Sequence, residues 1–183
     1  MIRHSILSVR CESDLLLHHL AAIGLAAARG TALLVDLDGA SPPYPGTITV
    51  ADLVGDGVHR DHLGPSRKGV AVLPNGGADP ERALELVEAL RQGWPALVVR
   101  IGRLATSPYP HVPVVPALPV PLGPSESGRY VRQRLRRRRP PRGDGVDLPV
   151  LRRGQVWAMV EGRVDARSAW VKAWRPVWDL PWG

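Results

Sequence analysis

Histidines and one cysteine are the residues of this chain that could bind a metal or act as a nucleophile. His18 and His19 are adjacent on a predicted helix, where neighbouring side chains point about 100° apart and cannot easily share a metal. His59 and His62 fall in a polar loop segment. Cys11 stands at a helix start, which favours a thiolate, but the acidic residues beside it oppose that effect. We therefore expect no metal site, no catalytic thiol and, with a single cysteine, no internal disulfide.

An arginine run is the strongest electrostatic feature of the sequence. Eight arginines fall within residues 129–142, and residues 124–183 carry a net charge of +8 against −1 for residues 1–123. Such a run could bind DNA or RNA without sequence preference, or an anionic membrane surface, through its phosphate contacts. The alternatives are a solvated helix end and a docking surface for an acidic protein. The candidate polyanion-binding residues are Arg132, Arg134, Arg136, Arg137, Arg138 and Arg139.

Tryptophans are concentrated in the last thirty residues, at positions 157, 170, 174, 178 and 182. A tryptophan is costly to expose, so such a cluster is usually part of a core or a hot spot for a partner. Both alternatives remain open from the sequence, and insertion into a membrane interface is a third. If the cluster binds a partner, we expect Trp170, Trp174 and Trp178 to make the contact.

Apolar runs and helical patterns alternate along the first hundred residues. This alternation predicts a three-layer α/β fold, with a mostly parallel sheet flanked by helices. Prolines place the run 112–121 at a sheet edge or in extended coil, and residues 125–139 are expected to form a basic helix. We therefore predict an α/β domain over residues 1–122, followed by a basic helix and a Trp-rich extension over residues 123–183.

A family pattern is carried by four segments of this first part. They are the run 6–10 with a helix ending at 25–30, the run 33–38, the run 49–54, and the strand–helix–strand section 69–99. In order and spacing they resemble the ParA/MinD branch of the P-loop NTPases, which has a deviant Walker A motif. The resemblance implies a P-loop NTPase fold and places a vestigial nucleotide site around Arg10, Asp14, Asp36 and Asp38.

The residues at that site differ from those of an active ATPase. A phosphate loop needs glycines, a lysine and a Ser or Thr for Mg²⁺. Residues 10–17 contain neither glycine nor lysine, and their two carboxylates would repel a triphosphate. The family's Walker B aspartate is expected just after residues 96–99, where this chain has Arg100. The sequence thus predicts a pseudo-ATPase with no catalytic residue and no cofactor, in which Asp36 and Asp38 are vestiges or simple loop anchors.

The expected function follows from that resemblance and from the C-terminal charges. We expect a non-catalytic adaptor or positioning module, whose protein partner would be an active ATPase of the same family or a subunit of an envelope machine such as a pilus or secretion system. The alternative is a nucleic-acid-binding protein that uses the arginine run. No apolar segment approaches the ~20 residues of a membrane span, and the first residues lack the pattern of a signal peptide. A cytoplasmic bacterial protein is therefore expected.

Overall fold

The computed structural model describes residues 4–56, 70–102, 106–116, 129–134 and 145–182. Within them a sheet of seven parallel strands has the order β3-β2-β4-β1-β5-β6-β7. The strands are β1 (Ile6–Arg10), β2 (Ala32–Asp36), β3 (Ala71–Leu73), β4 (Ala96–Arg100), β5 (His111–Pro116), β6 (Tyr130–Gln133) and β7 (Gly145–Leu148). The helices are α1 (Leu15–Arg29), α2 (Val50–Asp56), α3 (Pro80–Gly93), α4 (Arg153–Val160) and α5 (Ala169–Ala173), followed by a 3₁₀ helix, Arg175–Asp179.

Helices cover both faces of this sheet, which confirms the predicted three-layer α/β fold. All five residues of β2 and all five of β4 are buried, as expected of central parallel strands between two helical layers. Alternate strand residues face opposite layers. Leu34 and Val98 belong to the core cluster that includes residues of α1, α4 and α5, whereas Leu33 and Leu97 belong to the cluster that includes residues of α2 and α3. No helix of the described residues is long and apolar enough to cross a bilayer.

The helix ends follow the capping residues that the sequence offers. The Asp14 carboxylate accepts a hydrogen bond from the Leu17 backbone N–H at the start of α1, and Gly30 closes that helix in the left-handed conformation. At the start of α3, the Asp79 carboxylate accepts from the Arg82 backbone N–H, and Pro80 occupies the first turn. Each cap satisfies a backbone donor that has no partner within its helix, so these boundaries are fixed locally.

The prediction of an edge strand or extended coil over residues 112–121 is wrong where the structure describes it, because β5 is an internal strand of the sheet. It pairs with β1 on one side and with β6 on the other, although Pro113 and Pro116 lack a backbone N–H. Val112 and Val114 are fully buried in the layer beneath α1. Their burial outweighs the missing backbone donors, so the strand lies inside the sheet.

The predicted basic helix over residues 125–139 is also wrong where the structure describes it. Residues Tyr130–Gln133 form β6, which pairs in register with β5 and β7. Val131 is completely buried between Val114 and Val146. Arginine has a good helix propensity, but such propensities amount to less than about 1 kcal/mol per residue and yield to tertiary packing.

The described residues beyond position 122 are continuous with the rest of the fold. Strands β6 and β7 extend the same sheet, and α4, α5 and the 3₁₀ helix cover α1. The Trp170, Trp174 and Trp178 side chains are at most 2% exposed and belong to this layer. Of the alternatives for the tryptophans, the structure shows self-packing for these three, so in this fold they present no surface to a partner.

Candidate functional site

The loop between β1 and α1 is short, and two of its carboxylates are engaged within the chain. Besides capping α1, Asp14 leaves the first turn of that helix with a negative charge of its own. The Arg10 guanidinium pairs with the Glu12 carboxylate at 2.8 Å, and burial raises the pKa of the Cys11 thiol. An anion bound at this helix start would therefore have to displace the Asp14 carboxylate.

Asp36 and Arg100 end the neighbouring strands β2 and β4 and are direct partners in the strand register. The Arg100 Nε donates to Asp36 Oδ1 at 2.7 Å, and Nη2 donates to Asp36 Oδ2 at 2.7 Å. Both side chains are completely buried. The pair is thus a bidentate, charge-assisted contact, the strongest geometry that these two groups can adopt.

Two further side chains close around this pair and complete what we call the Arg100 cluster: Asp36, Arg100, His19 and Tyr44. The Arg100 Nη1 donates to His19 Nδ1 at 3.1 Å, and Nη2 also donates to the Pro42 carbonyl at 3.0 Å. The guanidinium lies 4.6 Å from the centre of the Tyr44 ring. That ring stacks on His19, and its hydroxyl donates to the His19 carbonyl at 2.6 Å. The guanidinium is therefore held from three sides.

The contacts in the Arg100 cluster shift the pKa values of its ionisable groups. Burial raises the pKa of the Asp36 carboxyl in spite of the opposing effect of its hydrogen bonds with Arg100. Burial acts to lower the pKa of Arg100, but the hydrogen bonds with Asp36 and the nearby negative charge hold that pKa above its ordinary value. Burial and the adjacent guanidinium lower the pKa of His19 to about 4. His19 is therefore neutral near pH 7, and its Nδ1 is free of a proton and accepts the hydrogen bond from Arg100.

Asp38 anchors the loop after β2 rather than joining the Arg100 cluster. Its Oδ1 accepts from the backbone N–H groups of Ala40 and Ser41 at 3.0 and 3.3 Å, and its Oδ2 lies 3.6 Å from His18 Nδ1. Burial alone would raise the pKa of Asp38, but the hydrogen bonds from Ser41 and Ala40 hold it below the ordinary value. These contacts match the loop-anchor role that the sequence left open.

The four residues predicted to mark a vestigial site lie at the same edge of the sheet but make different contacts there. Asp36 and Asp38 lie together at the end of β2, where the Asp38 backbone N–H donates to Asp36 Oδ1, whereas Arg10 and Asp14 make their own contacts in the preceding loop. Among the described residues there is no group of three His, Cys, Asp or Glu side chains that could hold a metal. Both oxygens of the Asp36 carboxylate and Oδ1 of Asp38 accept hydrogen bonds from the chain itself, whereas Asp38 Oδ2 has only the 3.6 Å approach to His18 Nδ1.

Sequence reasoning missed most of the Arg100 cluster. Arg100 was singled out only as the residue found where an aspartate was expected, and His19 only as an unsuitable metal ligand. Tyr44 stands in a proline-rich segment and has no pattern around it that predicts burial. Its role follows from the path of the loop after β2, which no local signal defines.

The candidate polyanion-binding arginines are only partly described. Arg132 lies inside the sheet, where its Nε donates to the Asp147 carboxylate at 2.7 Å and its guanidinium is 5.7 Å from the Tyr130 ring centre. Its side chain is 10% exposed, and the Arg134 Nε is buried as well. The remaining candidates, Arg136 to Arg139, lie outside the described residues, as do His59 and His62.

No family model, curated protein or solved structure matches this chain. The parallel α/β fold is compatible with a P-loop-like domain, and membership of the ParA/MinD family stays a prediction.

Proposed function

We propose that this chain is a non-catalytic pseudo-ATPase that acts as an adaptor or positioning module and works through protein contacts. Its partner would be an active ATPase of the ParA/MinD type or a subunit of an envelope machine such as a pilus or secretion system. The bidentate ion pair between Asp36 and Arg100 is the observation that carries the non-catalytic half of the proposal.

That ion pair supports the proposal because it lies at the edge of the sheet where α/β proteins bind their ligands. In open parallel sheets, ligands bind outside the carboxyl ends of the strands. Here the carboxylate at the end of β2 is neutralised by the arginine at the end of β4, and both are inaccessible to solvent. A magnesium ion at Asp36 would have to break a buried pair, which costs about 3–5 kcal/mol when one charge is left unpaired.

The β1–α1 loop supports the same conclusion independently. Phosphate binding at a helix start relies on free backbone N–H groups and favours negative charge there. The Asp14 carboxylate already occupies that position, and the loop has neither the glycines nor the lysine of a phosphate loop. Two separate halves of a nucleotide site are therefore closed by the chain's own side chains.

Calorimetric titration of the full chain with ATP and magnesium tests this proposal. We expect no saturable heat, which corresponds to a dissociation constant weaker than about 1 mM. Saturable binding in the micromolar range would contradict it. The proposed adaptor role is contradicted if cross-linking in native lysate identifies no protein partner.

The nucleic-acid alternative gains no support from the described residues. Arg132 is tied to Asp147 within the sheet, which removes it from any surface that could follow a phosphate backbone. The alternative therefore rests on the partly buried Arg134 and on Arg136 to Arg139.

A further inference from the structure

One tryptophan of the C-terminal region is exposed, and it is not among the three that the sequence favoured. The Trp157 side chain on α4 is 57% exposed, whereas the other four tryptophans of this region are at most 8% exposed. Helix α4 packs inward through Val156, Met159 and Val160. Trp157 lies about 100° around the helix from Val156 and is exposed to solvent, so α4 is anchored without it. Tryptophan is enriched among the residues that dominate binding interfaces, so Trp157 is a candidate for such a role.

A cleft of about 160 Å³ lies between α4 and α5. Gly154, which is three residues before Trp157 and therefore its neighbour on the helix surface, lines this cleft. The other lining residues include Ala158 and the buried side chains Met159, Trp170 and Val171. A side chain at Gly154 would meet no atom within 4 Å. Small residues on one wall thus leave open a depression with an apolar floor.

The polar groups at the rim of this cleft are largely engaged within the chain. The Ser168 hydroxyl accepts from the Val171 backbone N–H, and the Asp165 carboxylate accepts from the Arg167 backbone N–H. The cleft therefore offers an incoming group mainly apolar contact. A cavity of about 150 Å³ lined by apolar side chains can hold a molecule the size of benzene, so the cleft suits one aromatic or branched aliphatic side chain.

The surface around the cleft is positively charged. Arg153 is four residues before Trp157 and lies on the same face of α4. Between positions 152 and 175, two acidic residues are exposed, Glu161 and Asp165. The exposed cationic residues in the same range are Arg152, Arg153, Arg163, Arg167, Lys172 and Arg175. One of these cations, Arg163, is paired with Glu161. The excess of unpaired cations favours a negatively charged partner, because complementary charge steers association.

We infer that the α4 surface, formed by Arg153, Trp157 and the adjacent cleft, binds an acidic peptide segment of a partner protein that inserts one large apolar side chain. The concave, apolar floor distinguishes this partner from an anionic membrane, which would instead need a protruding apolar ridge. The inference rests on the proposed adaptor role and specifies the chemistry of its partner. It also assigns the binding function to Trp157 instead of the buried Trp170, Trp174 and Trp178.

Selection of a random peptide library against the immobilised full chain tests this inference. We expect enrichment of peptides in which several Asp or Glu residues surround one large apolar residue. An enriched peptide, synthesised with a fluorescent label, should lose about tenfold or more in affinity for Trp157→Ala, as a hot spot does. Gly154→Leu should have the same effect, because its side chain fills the cleft while leucine favours the helix. Leu16→Ala, a matched change at an exposed apolar residue on α1, should leave the affinity unchanged.

Three results would overturn the inference. They are enrichment of peptides without acidic residues, no enrichment at all, or an affinity of the enriched peptide for Trp157→Ala and Gly154→Leu that is unchanged from its affinity for the unaltered chain. A fourth is binding to phosphatidylglycerol vesicles that is lost in Trp157→Ala, since it would identify a membrane surface instead. The outcome is distinct from that of the nucleotide titration. Binding of magnesium-ATP would refute the pseudo-ATPase proposal without changing the conclusion about peptide binding. If no peptide binds, the conclusion from the ATP titration is unaffected.

Discussion

Arg100 pairs with the polar groups at the carboxyl ends of the central strands. Its guanidinium is completely buried, yet four hydrogen bonds, to Asp36, His19 and the Pro42 carbonyl, satisfy it. Moving two charges out of water costs several kcal/mol per ion, so the pair is stable only because its geometry is nearly ideal and additional acceptors are present. A neutral His19 is part of that geometry, since a protonated ring could not accept from Arg100.

Arg100→Leu should therefore destabilise the protein strongly. The substitution leaves the Asp36 carboxylate buried without its counter-ion, and we expect the free energy of unfolding to fall by about 3–5 kcal/mol. The double variant Asp36→Leu, Arg100→Leu should lose less than Arg100→Leu alone, because no unpaired charge remains. Urea denaturation of the unaltered chain and of both variants measures these free energies of unfolding.

The matched control for this experiment is Arg91→Leu, which removes an ion pair with Glu88 on the exposed face of α3. Such surface pairs contribute about 0–1 kcal/mol. A loss for Arg100→Leu as small as that of the control would mean that the Asp36 carboxylate reaches solvent, contrary to the burial described above.

Helix α1 lies between the sheet and the C-terminal helices. It packs on β2 and β4 with one side and on α4, α5 and the 3₁₀ helix with another. Close approach is achieved at Gly24, where a Cβ atom would lie 2.1 Å from the Trp170 ring and 2.9 Å from Trp174 Nε1. The Trp178 Nε1 also donates to the Leu25 carbonyl at 3.1 Å. The glycine is thus required by packing, even though it disfavours the helix.

Gly24→Ala should destabilise the protein despite the better helix propensity of alanine. The added methyl group overlaps a buried indole, and overpacking of this kind costs about 1–3 kcal/mol. Gly55→Ala in α2 is the control, since nothing lies within 4 Å of the new Cβ and we expect stabilisation of at most about 1 kcal/mol. Thermal unfolding of the two variants should shift in opposite directions, and a stabilised Gly24→Ala would refute the close approach of Trp170.

The molecule as a whole is tied together across its ends. His4 Nε2 lies 2.8 Å from the Leu180 carbonyl, and the Arg129 Nη1 donates to the Pro181 carbonyl at 3.1 Å. The Trp170 Nε1 donates to Gln133 Oε1 at 2.6 Å, which links α5 to β6. The C-terminal segment therefore covers α1 as part of the main core.

A chain that ends at residue 164 should consequently fail to unfold cooperatively. It lacks α5, the 3₁₀ helix and the buried tryptophans that cover α1, and the apolar surface thereby exposed favours loosely packed or aggregated states. Near-ultraviolet circular dichroism and analytical ultracentrifugation should show loss of fixed tertiary packing. A synthetic peptide of residues 165–183 added in trans should restore part of it. A truncated chain with a sharp unfolding transition would show that the tail is dispensable.

Local patterns are sufficient to predict the described helices and strands of the first hundred residues, because short-range interactions define these elements. The apolar runs that became β2 and β4, and the caps at Asp14, Asp79 and Gly30, depend on neighbours within a few residues. The parallel sheet follows from the alternation of these elements. The absence of glycine and lysine from residues 10–17 is equally visible in the sequence, because it concerns residue types alone.

Tertiary structure decided the features that depend on residues far apart in the chain. Residues 130–133 form a strand because β5 and β7 offer partners on both sides, and β5 lies inside the sheet in spite of its prolines. Arg100 and Asp36 are 64 positions apart, so their pairing could not be inferred from spacing. Whether a tryptophan is core or surface depends on what packs against it, and this separates Trp157 from Trp170. Burial is a property of the assembled layers, and no local pattern contains it.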